Sequence, residues 1–279
     1  MKYFITISLL VLISVSGISQ TNNHSIDKFK LGKIYFYWGW NGSSFSKSNI
    51  KFTGEDYDFT LKKVVAKDRQ SDFSLKTYLN PLNATIPQYN FRIGYCFQEN
   101  WDISFGIDHM KYVVLQNQTV EIEGFIENTN STYDGTYSGQ SIKLTQDFLR
   151  FEHTDGLNYV NVELRHSDRF INLKKINASF IEGLGIGVLY PRTSTTLLGK
   201  ESYDEFHLSG YGLGGLIGLK VTFFDTFFVQ SELKGGFTNL TNVRTTPSIS
   251  DKARQNFFFF QYNIVFGGII KIKIKANKK

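Results

Sequence analysis

From Tyr89 to Ile107 the chain reads YNFRIGYCFQENWDISFGI. Tyr89, Phe91, Ile93, Tyr95 and Phe97 fall on one parity, and Asn90, Arg92, Gly94 and Cys96 on the other. After Gln98-Glu99-Asn100 the alternation resumes, with Trp101, Ile103, Phe105 and Ile107 set against Asp102, Ser104, Gly106 and Asp108. Strand side chains point alternately to opposite faces, so the stretch predicts a hairpin of two strands, each apolar on one face only. Two architectures produce that pattern: a half-buried soluble sheet, and a barrel whose outer wall touches lipid.

Six more stretches alternate in the same way. Their apolar sets are Ile34, Phe36, Trp38 and Trp40; Val160, Val162 and Leu164; Leu184, Ile186, Val188 and Tyr190; Tyr211, Leu213, Ile217, Leu219, Val221 and Phe223; Phe227, Val229 and Leu233; and Phe258, Phe260, Tyr262, Ile264 and Phe266. With the hairpin they make eight strands. The connections Gln98–Asn100, His166–Lys175 and Phe224–Thr226 are short, whereas Asn41–Thr85, Gln116–Gly156, Pro191–Glu205 and Asn239–Arg254 are long. Short turns at one end and long loops at the other are the pattern of an outer-membrane barrel.

The positions between the apolar ones sharpen the choice. They carry Lys33, Arg92, Asp102, Asp108, Glu163, Arg165, Lys220, Glu232 and Lys234, both signs together, which predicts an ion network inside a closed ring. Eight strands leave an interior just wide enough for side chains to fill. Inward glycines on the Gly183 and Gly212 strands make room for long charged partners opposite. A charged face turned to water needs no such glycines. The expected fold is therefore all-β: an eight-stranded antiparallel transmembrane β-barrel with long extracellular loops. An exported soluble β-sandwich is the alternative. Glu182 falls on the apolar parity, and a bulge there would return it to the interior. SNIKFTGEDYDFTLKKVVAK and NQTVEIEGFIE, in the two largest loops, alternate in places and read as strand extensions above the outer leaflet, with NSTYDGTYSGQ as a polar loop tip.

Composition narrows the class. The 279 residues are 20% charged and 16% aromatic, with 26 Phe, 15 Tyr and four Pro, so they read as strand formers. A mean hydropathy of −0.21 argues against a helical membrane protein. The opening MKYFITISLLVLISVSGISQ has a basic start, a short apolar core and a small-x-small site before Gln20. The expected division is a signal peptide over 1–19, a short periplasmic segment over 20–28, the barrel over 29–275 and a basic tail over 276–279. An N-terminal membrane helix is the alternative, although the apolar stretch is short for a span. The expected location is the outer membrane, after export through a cleaved signal peptide. Cys96 is the sole cysteine, so no internal disulfide forms.

YFYWGWN at Tyr35, GEDYDFTLKKVVAKDR at Gly54, IPQYNFRIGY at Ile86, GIDHMKYV at Gly106, FEHTDGLNY at Phe151 and YDEFHLSGYG at Tyr203 together make the chain resemble a family of small outer-membrane β-barrel proteins of Gram-negative bacteria. The resemblance spans essentially the whole mature chain. It implies fold and location rather than an activity. The last strand departs from the family's terminal aromatic and ends GGIIKIKIKANKK.

Candidate chemistry is sparse. His207-Leu208-Ser209 places an imidazole and a hydroxyl on the same face of a strand, within reach of each other as general base and nucleophile. By parity with Tyr211 that face is the lipid-facing one, near the outer rim. The arrangement resembles the His-x-Ser pair of outer-membrane phospholipases and lipid A deacylases, but no orienting third member stands out. Asp108-His109 and His153-Thr154-Asp155 lie near the same rim without metal-ligand spacing, so no metal is expected. The glycine run at Gly210 has strand on both sides and so is no dinucleotide loop; no cofactor is expected. Arg192, Lys200, Arg244 and Arg254, with Lys252, fall in the long loops and could meet headgroup phosphates. The expected partners are outer-membrane lipid, lipopolysaccharide and the barrel-insertion machinery, with no nucleic acid. The oligomeric state is not readable. The function expected is a structural, surface-interaction or adhesion role and not that of a wide porin. The alternatives are a lipid A deacylase or phospholipase-like hydrolase using His207 and Ser209, and a carrier of small apolar ligands.

Overall fold

The structure is a computed structural model that describes residues 29–275 apart from 73, 79–86, 154 and 201. The expected segments 1–19, 20–28 and 276–279 lie outside the described residues. In chain order the strands are β1 (Phe29–Phe45), β2 (Ser48–Thr53), β3 (Tyr57–Val64), β4 (Ala66–Lys67), β5 (Tyr89–Cys96), β6 (Trp101–Asp108), β7 (Tyr112–Val114), β8 (Thr119–Ile126), β9 (Gly135–Lys143), β10 (Leu149–His153), β11 (Tyr159–Asn172), β12 (Ile176–Leu189), β13 (Ser194–Leu197), β14 (Gly210–Phe223), β15 (Phe227–Arg244) and β16 (Lys252–Lys275). One short helical turn, α1 (Leu75–Tyr78), follows β4.

Eight of these strands form a ring in the order β1-β5-β6-β11-β12-β14-β15-β16, and β16 pairs back onto β1. Every pairing between sequence neighbours in the ring is antiparallel, as between β14 and β15. Closure leaves no free sheet edge around the ring, which is what lets β-structure cross a membrane. The predicted strands and the split between short turns and long loops appear as expected, except that the loop expected over Asn239–Arg254 is mostly strand, with β15 running to Arg244 and β16 starting at Lys252. The connection expected over His166–Lys175 is shorter, because β11 continues to Asn172 and β12 begins at Ile176, with a bulge between Arg169 and Ile171.

Glu182 is a correction. The β12–β14 register runs unbroken through Glu182 opposite Ile217, so no bulge turns it inward. It stays on the outer face, where its Oε1 lies 3.6 Å from His166 Nδ1. The His166 ring sits 4.7 Å from that of Trp101. A polar partner on the neighbouring strand does what the bulge was expected to do.

The long-loop end is not a set of bare extensions. β2, β3, β8 and β9 continue the barrel sheet outward from β16, and β13-β10-β7-β4 form a second, four-stranded sheet. A buried core that includes Phe52, Phe59, Leu61, Ile122, Phe148 and Phe151 draws on both sheets. Phe52 stacks on Phe59 at 5.3 Å between ring centroids and meets Phe151 edge-on at 5.7 Å. This is a β-sandwich with an aromatic interior. Part of the expected polar tip is strand β9, whose residues are mostly exposed.

Candidate functional site

The ring interior is built in tiers. In the middle, inward side chains from six strands meet. Arg92 Nη2 donates to Glu163 Oε1 at 3.0 Å and to Asn161 Oδ1 at 2.7 Å. Arg165 donates through Nε to Glu163 Oε2 at 2.7 Å, through Nη1 to Glu232 Oε1 at 2.7 Å and through Nη2 to Tyr37 Oη at 2.8 Å. The Lys234 ammonium bridges Asp108 and Glu163. Asn90 and Asn161 donate to the two oxygens of Asp108 at 2.7 and 3.0 Å. Three cations thus face three carboxylates, and all six side chains are at most 2% exposed. Burying a charge is tolerable only when it is paired and hydrogen-bonded, and here each is.

Glycines make this packing possible. A Cβ on Gly185 would stand 2.6 Å from Glu163 Cγ, and one on Gly106 would stand 2.9 Å from Arg92 Cζ. The inward glycines are the space into which the long charged side chains fold. The neutral members of the network, Tyr37, Asn90, Asn161, Gln230 and Asn263, were missed by a reading that followed only formal charge. Their inward parity was the signal available.

The outer face of the same strands is apolar and exposed. Leu184 is 74% exposed, Phe258 65% and Ile186 62%, with Phe36, Phe105, Leu164, Leu213 and Leu219 alongside. No water-soluble sheet leaves so continuous an apolar girdle uncovered while burying six charges. This is a transmembrane β-barrel.

Three of the expected network members sit below the middle tier. Asp102 accepts from Tyr35 Oη at 2.6 Å. Lys33 and Lys220 form no ion pair with the middle tier: they line a cavity at the short-turn mouth, where Lys220 still feels the charge of Asp102, which corrects their expected place. Above the middle tier the inward positions turn apolar. Tyr159, Leu189, Phe257 and Phe259 belong to the core of the loop sandwich. The bore is therefore closed by ion pairs and again by aromatic packing.

The His207 and Ser209 pair is not arranged as expected. β14 begins at Gly210, so neither residue lies on a strand. Ser209 is 1% exposed rather than lipid-facing, and its hydroxyl donates to the His207 carbonyl at 3.1 Å. Local chain direction, rather than strand parity, aims both side chains. The His207 ring contacts the Asn242 amide at 3.0 Å through Nε2. Burial, and then the charge of Arg244, hold the imidazole below its usual pKa. An orienting amide is present, but imidazole and hydroxyl are not hydrogen-bonded to each other.

The other rim histidines are separate. His109 Nδ1 lies 2.8 Å from Asn158 Oδ1 and its ring stacks on Tyr89 at 4.9 Å. His153 Nδ1 lies 2.9 Å from Thr193 Oγ1. Of the four cations expected at headgroups, three are held within the loops. Arg192 bridges Asp155 at 2.9 Å and Asp204 at 3.3 Å. Lys200 meets Asp251 at 3.3 Å and covers the Tyr57 ring. Arg244 donates to the Pro247 carbonyl at 2.7 Å and covers the Tyr203 ring. Arg254 differs: it is exposed on β16, opposite Lys51 of β2.

No protein-family model matches the chain, and no curated protein matches it. Among solved structures it is similar to the outer membrane protein OprG from Pseudomonas aeruginosa, at 8% identity over 86% of this chain and 96% of that one, with a TM-score of 0.39. It is also similar to Ail, the attachment invasion locus protein of Yersinia pestis, at 11% identity over 85% and 98%, TM-score 0.26. A third is the outer membrane protease OmpT from Escherichia coli, at 8% identity over 88% and 99%, TM-score 0.25. At such scores the barrel stands on its own ring closure and girdle.

Proposed function

We propose that the chain is an outer-membrane anchor that presents a β-sandwich at the cell surface, in a structural or adhesion-type role. In this reading residues 1–19 direct export and are removed, and the barrel-insertion machinery places the ring. One observation carries it: a sandwich with its own aromatic core stands on the long-loop end of a barrel whose bore is filled by ion pairs. A filled bore supports neither a wide pore nor passage of apolar ligands through the interior. Arg254, exposed on the outer wall just above the girdle, suits a phosphate of lipopolysaccharide, while its neighbour Lys51 is paired with Asp58 at 3.0 Å.

The test has two readings. Purified protein in planar bilayers gives no conductance steps. On intact cells displaying the full chain, an impermeant amine label reaches Lys143 on β9, and those cells bind a panel of matrix proteins and glycans better than cells lacking the protein. Conductance steps or an unlabelled Lys143 would each overturn the proposal, and binding no better than the control would remove the adhesion role and leave the structural one.

A lipid-acting hydrolase is the second reading, favoured by the Asn242 amide on His207. It requires the Ser209 hydroxyl to leave the His207 carbonyl and turn to the ring. Wild-type protein that releases no ester from lipid A or phospholipid, or a Ser209→Ala variant that releases as much as wild type, removes it.

A further inference from the structure

We propose that the short-turn mouth of the barrel is a binding site for a small phosphate or carboxylate anion that also carries a hydroxyl group. The mouth is a cavity of about 370 Å³, lined among others by Lys33, Lys220, Ser167, Asn177 and Cys96. Its floor is closed by the Tyr35–Asp102 hydrogen bond and the ion network beyond, so a ligand lodges there instead of passing through.

The two lysines are the first argument. In the middle tier each inward cation lies within hydrogen-bond reach of a carboxylate. Lys33 and Lys220 differ: among the described residues neither forms an ion pair, and the Lys220 ammonium lies 5.7 Å over the Phe228 ring. The nearby Asp225 is already engaged, 3.4 Å from Lys271 Nζ and accepting from Asn177 Nδ2 at 2.9 Å. The lining also carries Glu99, and Asp102 on the floor acts on Lys220, but the cations around the cavity, Lys33, Arg169, Lys220 and Lys271, outnumber the carboxylates Glu99, Asp102 and Asp225, and an anion would balance the excess.

The second argument is independent of charge. Asn177 is 7% exposed, and its Oδ1 has no hydrogen-bond partner although its amide nitrogen is engaged. The Ser167 hydroxyl is also buried without a partner. Leaving such groups unsatisfied is unfavourable, and a ligand could recover that loss. A carbonyl oxygen needs a donor, and a bare anion offers none. A hydroxyl on the ligand would donate to Asn177 Oδ1, while the Ser167 hydroxyl would donate to the anion.

Cys96, the sole cysteine of the chain, also lines the cavity and serves as a reporter. In detergent-purified protein its thiol should react about tenfold faster with an anionic methanethiosulfonate than with a cationic one of similar size. Glycerol 3-phosphate should protect it at lower concentration than sulfate, which has no donor, does. Lys33→Met with Lys220→Met should abolish both the preference and the protection, while Lys220→Arg keeps them. Asn177→Leu should remove only the advantage of glycerol 3-phosphate over sulfate. Heat-modifiable migration checks that each variant still folds. A wild-type thiol with no anionic preference, or a preference surviving loss of both lysines, overturns the charged site. Equal protection by glycerol 3-phosphate and sulfate overturns the hydroxyl requirement. The sandwich plays no part in this experiment, so its outcome is separate from that of the surface-presentation test.

Discussion

The barrel middle and the loop sandwich are opposite solutions built from the same kind of strand. In the barrel, charges are buried and apolar residues face outward; in the sandwich, rings are buried and polar residues face outward. What differs is the surrounding solvent. A strand lays its apolar side toward lipid where lipid surrounds it, and toward the core where water does. β16 makes the exchange within one strand. Its inward residues change from Asn263 and Gln261 to Phe259 and Phe257, and its outward residues change from Tyr262, Phe260 and Phe258 to Asn256 and Arg254. On the paired β15, Phe237 lies opposite Phe258 and Asn239 opposite Asn256, so the outward change occurs at the same level. Asn239 also donates to the hydroxyl of Tyr211, on β14, at 3.1 Å. That level is where the girdle ends and water begins.

The largest test of this contrast is to remove the centre of the polar interior. Glu163 accepts from Arg92, Arg165 and Lys234 at once. Glu163→Gln leaves three buried cations facing two carboxylates. Breaking a buried pair in this way costs about 3–5 kcal/mol. The urea midpoint for loss of heat-modifiable migration in lipid vesicles should fall accordingly. An unchanged midpoint would mean that water, and not the carboxylate, satisfies the arginines.

The matching test in the other region is Phe151→Ala. Phe151 is fully buried against Phe52 and His153. A cavity of that size in a core costs about 3–5 kcal/mol. The loss should be local: proteolysis of the loops should speed up while the urea midpoint of the barrel stays near wild type. If both regions fail together, the sandwich core is part of what holds the ring closed, through Tyr159, Phe257 and Phe259.

The two regions were unequally legible. In the ring each strand has one face toward lipid and one toward charge, so period-two alternation is clean and all eight strands can be read. The inward ion set could be named because formal charge on the polar parity has no other place to go. Lys33 and Lys220 followed the same parity, but parity gives direction and not height, and they lie at the mouth. In the sandwich the signal is partial: β2, β3 and β8 keep the alternation that marks them as strand extensions, and the other strands lose it. Tyr112, Val113 and Val114 of β7 are all buried, which erases the alternation. β4 has two residues and β13 four, and both pair with strands distant in sequence. β9 is polar on nearly every residue and reads as loop. His207 and Ser209 were placed by extending strand parity past the end of β14, where it no longer applies.

The smallest effect expected at neutral pH, and the one that sharpens the contrast on acidification, belongs to His153. Charges inside the barrel have partners, whereas this imidazole lies wholly buried in the sandwich with no partner at Nε2. Burial holds its pKa down to about 3. An unfolded histidine titrates near 6.5. Above about pH 6.5 neither state carries the proton and the residue makes stability independent of pH. Between about 6.5 and 3 the unfolded sandwich binds a proton that the folded one refuses, so stability falls steadily as pH falls. Loop proteolysis in wild-type protein should therefore accelerate between pH 6.5 and 4.5. His153→Phe, which cannot take up a proton, should show a shallower dependence, and His153→Gln should do the same while keeping a polar group beside Thr193. If all three proteins share one pH profile, acid acts through the loop carboxylates and the sandwich tolerates a charged His153.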